Sequence, residues 1–90
     1  MQALAINPTS FWRDIRPLFR PIDVEHMRAF DVLLDDYRYM ADAANNHRHA
    51  RDVHDYLAGI RQPQMPIGGP FWTADQLALY ERWMTEGFQP

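Results

Sequence analysis

The sequence predicts an all-α domain of four to five short helices with one long Pro/Gly loop, and three observations carry that expectation. Apolar residues recur at helical spacing in two segments: Ala50, Val53, Leu57 and Ile60 in one, Leu77, Tyr80, Trp83 and Met84 in the other. Thr73-Ala74-Asp75-Gln76 matches a capping box, in which the Thr hydroxyl and the Gln side chain satisfy the first backbone donors of a helix, and Gly87 suits its C-cap. No segment alternates apolar and polar residues over the length of a strand.

Taken in order, residues 1–9 read as a flexible arm ending near the turn signal Asn7-Pro8, and residues 10–88 as the domain. Thr9 and Ser10 are N-cap candidates for a helix carrying Phe11, Trp12, Ile15, Leu18 and Phe19, which Pro17 should end or kink. Asp23 is expected to cap a short helix through Val24, Met27 and Phe30. A connector with Val32 and Leu34 buried then leads to a helix capped at Asp35 or Asp36 and carrying Tyr37, Met40 and Ala44. Asn45-Asn46 either breaks that helix or lies within a longer one. Residues 61–72 hold three Pro and two Gly, which no regular element tolerates, so they form the long loop.

Composition narrows the function classes. Ninety residues make one domain whose core must be used efficiently, and 13% aromatic content supplies large buried areas per residue. Cysteine is absent, which excludes disulfides, thiolate metal sites and thioether attachment of a cofactor. The net charge is −3, and all nine basic residues are Arg, spread along the chain with acidic neighbours, so no basic stripe for nucleic acid forms. Neither a signal-peptide pattern nor a membrane span is present, and the expected location is the cytoplasm.

Two motifs then stand in a telling order. Ile15-Arg16-Pro17-Leu18-Phe19 precedes a short gap, and Met65-Pro66 precedes Gly68-Gly69-Pro70-Phe71-Trp72 and a capped helix ending in Trp83-Met84 and Gly87. Over residues 10–88 this resembles the small cytochrome-c-like domains of bacteria. The resemblance implies a helical fold in which a late Met-Pro loop supplies an axial methionine to haem. Carried across, the pattern places Asp23 and His26 where the two cysteines would stand and Met27 where the haem-ligating histidine would stand; Met65 alone matches a family ligand. Covalent haem is therefore impossible, and the resemblance implies a haem-free version whose vacated space is refilled by Met27, Phe30, Tyr37, Met40 and Trp72.

Candidate sites follow. Met65 and His26 are the residues that would hold a non-covalent haem, imidazole and thioether both being competent axial ligands. His47, His49 and His54 form a histidine cluster to weigh as a metal site, although Arg51 stands at the helical position where a second ligand would be needed. Ile67, Phe71 and Trp72 lie on a Pro-stiffened loop, where aromatic anchors lose little entropy on docking. Asp31, Asp35 and Asp36 read as caps and turn formers, and the single serine, Ser10, has no base nearby in sequence, so no catalytic constellation emerges. The expectation is a non-catalytic accessory module, needing no cofactor, that docks on a protein partner or on its own copy; the alternative is a haem- or metal-binding electron-transfer protein.

Overall fold

The structure, a computed structural model, describes residues 8–90, so most of the expected arm lies outside the described residues. Its last residue, Thr9, belongs to the domain instead: it is buried, and its backbone N–H donates to Glu86 Oε1 at 2.6 Å. The ordered domain therefore begins before residue 10.

The chain first makes a π-helical turn over Phe11–Ile15, capped by Ser10, whose hydroxyl accepts the Arg13 N–H at 3.2 Å. A 3-10 turn over Arg16–Leu18 follows directly. The disturbance expected at Pro17 thus takes the form of a change in winding, from wide to tight, beside a residue that has no N–H to give. Helix α1 spans Pro21–Arg28, with proline in its first turn, where a missing donor costs nothing. Asp23 lies three residues inside and reaches back to accept the Arg20 N–H at 2.9 Å, so it completes the start of α1 without being its cap.

Helix α2, Tyr37–Met40, is capped by Asp36, which accepts the Tyr39 N–H at 3.2 Å. Helix α3, Ala44–Leu57, opens with Asn45, Asn46 and His47 all in left-handed backbone, at φ of 55°, 58° and 59°, and turns right-handed only after them. Helix α2 has already ended at Met40, so the asparagines do not break it, and Ala44, expected on it, begins α3 instead; the asparagines lie within α3 and break its right-handed winding. Arg51 steadies the break, its guanidinium donating to the carbonyls of Asn46 at 2.8 Å and Asn45 at 3.1 Å. Helix α3 ends at Leu57, short of Ile60, which is exposed and not on the inward face expected of it. Gly59 permits that ending: its φ is +79°, and a Cβ there would meet the Gln64 side chain at 2.9 Å.

Helix α4, Ala74–Thr85, has the anticipated capping box, with Gln76 N–H to Thr73 Oγ1 at 3.2 Å and Thr73 N–H to Gln76 Oε1 at 2.8 Å. Among the described residues there is no strand. α3 packs on α4, the π-helical turn on α4, and α2 on α3. Where they meet, Trp83 and Tyr80 are wholly enclosed, with ring centroids 5.5 Å apart, and Phe11 closes on Trp83 at 5.6 Å. The last residues clamp this core, since the Gln89 carbonyl accepts both the Phe11 N–H and the Trp83 indole N–H at 2.9 Å. α1 stands apart from this packing and reaches the core through buried Val24 and half-buried Met27. No described helix is long and apolar enough to cross a membrane.

Candidate functional site

Beneath α1 lies a cavity of about 350 Å³, walled by α1, the connector at Val32 and Leu34, the outer face of α3 and the Met65–Ile67 and Trp72 segments of the loop. Its walls are mainly apolar: Phe19, Met27, Leu34, Val53, Leu57 and Trp72 contribute, the last tilted 41° against Phe19 with ring centroids 5.3 Å apart. The loop that walls one side of the cavity is tied directly to the last turn of α3. The Met65 N–H donates to the Tyr56 carbonyl at 2.9 Å, while the loop's prolines and glycines prevent it from collapsing as a regular element would.

Of the residues expected to refill a vacated haem space, Met40 and Trp72 are buried, while Met27 and Tyr37 are partly buried against the core. Phe30 does not serve: it is 65% exposed, because α1 ends at Arg28 and the chain turns outward there. Of these residues, Met27 and Trp72 line the cavity beneath α1, whereas Tyr37 and Met40 do not.

The charged side chains on the wall, Arg20, Asp23 and Asp52, are paired. Arg20 holds Asp23 through two hydrogen bonds of 2.8 and 3.0 Å, and this bond is the main cause that holds the Asp23 carboxyl below the usual aspartate range. Asp52 faces Arg48 at 3.4 Å and Arg61 at 3.3 Å. Burial raises the Tyr39 phenol above its ordinary value. Two imidazoles complete the wall, His26 from α1 and His49 from α3.

Five of the candidate site residues singled out in the sequence, His26, His49, Met65, Ile67 and Trp72, meet at this one cavity. Trp72 is only 8% exposed and walls the cavity from within, so it is no outer anchor; Ile67 and Phe71 are 55% and 51% exposed and form the outer face of the loop. The histidine cluster does not converge. His47 stacks on Phe88 at 3.7 Å between centroids, His49 stacks on Tyr39 at 3.9 Å, and His54 bonds Glu81 at 2.8 Å and Asp55 at 3.2 Å. Among the described residues no three His, Asp or Glu side chains gather as a metal site. The left-handed turn is the reason, since it rotates His47 away from the face that a continuous helix would have given it.

Sequence reasoning missed Asp52 and Tyr56 and gave His49 only a metal-binding role, whereas all three line the cavity. A signal for them was present, because positions 49, 52, 53 and 56 follow helical spacing one stripe away from the core face at Ala50, Val53 and Leu57. Compared with protein-family models, with curated proteins and with solved structures, the chain finds no match.

Proposed function

We propose that this chain is a non-catalytic binding module of the cytoplasm, built on a degenerate cytochrome-c-like frame, that takes an apolar ligand in the cavity beneath α1 and serves a partner protein. The observation that carries the reading is the cavity itself: about 350 Å³ of mainly apolar wall, within the 300–1,000 Å³ typical of small-molecule sites. The loop beside it leaves Ile67 and Phe71 exposed, which supports the reading of an apolar surface for a partner next to the cavity. Ser10 supports a non-catalytic role, its hydroxyl being committed to the Pro90 carbonyl at 2.7 Å and to the cap of the first turn.

A second reading, haem held without covalent bonds between His26 and Met65, is favoured by the presence of both side chains at the same cavity. The donors suit iron in kind. The space suits a macrocycle poorly, since the volume lies at the low end for ligand sites and His26 is exposed, its ring resting against the exposed Phe30 at 5.5 Å.

The experiment is a calorimetric titration with naphthalene alongside an absorption spectrum of protein mixed with haem. Saturable naphthalene binding without a Soret band is the expected result. Failure of naphthalene to bind would sink the apolar-ligand reading. A Soret band lost in Met65→Ala would replace it with the haem reading.

A further inference from the structure

His49 is the polar wall residue whose geometry is fixed while its bonding capacity is incomplete. Its ring lies flat on Tyr39, 13° from parallel, and its Nδ1 is 2.9 Å from the Tyr39 carbonyl oxygen. A carbonyl oxygen only accepts, so Nδ1 carries the proton, and the neutral form of the ring presents a lone pair at Nε2. That nitrogen has no partner among the described residues. Nor is it sealed away, because the buried side-chain polar atom lacking a partner among those residues is His47 Nδ1. A half-buried imidazole therefore offers an oriented acceptor among the residues that wall the cavity.

The rest of the wall defines what that acceptor would meet. Arg20 neutralises Asp23, and Arg48 with Arg61 neutralises Asp52, which leaves no unpaired carboxylate or guanidinium among the wall's charged residues to select a charged ligand. Phe19, Tyr39, Tyr56 and Trp72 supply aromatic faces, which favour a flat ring system. The volume equals the liquid share of about a dozen waters, more than one ring would fill. We propose that the cavity selects a neutral, hydroxylated, two-ring aromatic molecule whose hydroxyl donates to Nε2 of His49. This rests on the reading of the cavity as an apolar-ligand site and names the class of ligand.

The test is calorimetry at pH about 8, where ordinary imidazoles are neutral, with naphthalene, naphthol, methoxynaphthalene and N-acetyltyrosinamide as probes. Naphthol should bind about 2–10-fold more tightly than methoxynaphthalene, the worth of one ordinary hydrogen bond. His49→Phe keeps an aromatic ring and removes the acceptor, and should bring that ratio to one while both probes still bind. Equal affinities in the unaltered protein would overturn the role of His49, as would a ratio that survives His49→Phe, and the first comparison holds even if that variant folds poorly. N-acetyltyrosinamide carries the phenol as a partner's side chain would. Its binding more tightly than naphthol would overturn the two-ring ligand in favour of a tyrosine from a partner. Naphthalene binding without naphthol preference leaves the apolar-ligand reading standing and removes only this inference, whereas no binding of any probe removes both.

Discussion

Tyr80 shows how a single polar atom is accommodated at the centre of this core. Its ring is fully enclosed, and its hydroxyl donates to the Ala50 carbonyl at 2.8 Å, tying α4 to α3. Burial raises the phenol well above its ordinary value, so it stays neutral in the folded state. Tyr80→Phe should cost about 0.5–1.5 kcal/mol in urea unfolding, the net worth of one hydrogen bond; no loss would mean that the bond contributes nothing to stability. At the surface, Glu86 is held below its ordinary range chiefly by the Thr9 backbone N–H, and Asp14 is held low chiefly by Arg13. Groups depressed in this way bind protons more readily in the unfolded chain, so they contribute stability above the ordinary carboxylate range and lose it as pH falls through their folded values. The thermal midpoint should therefore fall from about pH 5 downward. The unaltered protein and Glu86→Gln should differ at neutral pH and converge in acid, and curves that stay parallel would refute the role given to Glu86. These caps and ties are the most legible features of the sequence: Thr73 with Gln76, Ser10 and Asp36 all act locally, through partners three residues away.

At the scale of the elements, legibility depends on whether an element's cause is local. Helix α4 was readable because its cap, its apolar spacing and its closing Gly87 agree. The start of α3 was not, because adjacent asparagines tolerate both right- and left-handed backbone, and what decides between them is distant. Phe88 stacks on His47, and Phe88 is itself at φ 57° with its carbonyl accepting the Tyr37 hydroxyl at 2.6 Å. Left-handed backbone disfavours residues with a Cβ by about 1–2 kcal/mol each, asparagine least among them. Asn46→Val should therefore destabilise by about 1–2 kcal/mol, while Asn46→Gly should stay close to the unaltered protein. Urea midpoints decide it, and equal midpoints for the two variants would rule out a left-handed residue at position 46.

For the molecule as a whole, the sequence made the all-α class legible and left the cavity hidden. Apolar periodicity reports which face of a helix turns inward, but it does not report whether the inward faces meet. Val53 and Leu57 lie on the expected face of α3, yet both border open space, because α1 ends before Phe30 can reach it and the loop is pinned at Met65. The walls of such a space lack partner atoms on one side and forfeit dispersion contacts. Retaining the cavity thus lowers stability, and it marks the cavity as the place where stability and ligand binding oppose each other. Val32, half-buried on the connector and outside any helix, is the wall position where added bulk should strain the backbone least. Val32→Phe should stabilise by about 0.5–2 kcal/mol, at about 4–8 °C per kcal/mol for a domain of this size, and should abolish naphthalene binding. A rise in melting temperature with binding lost locates the ligand beneath α1. If Val32→Phe melts higher and binds naphthalene undiminished, the ligand sits elsewhere and the proposed site is wrong. A lower melting temperature would mean that the wall is too rigid to accept the ring, and that this cavity is not spare volume within the core.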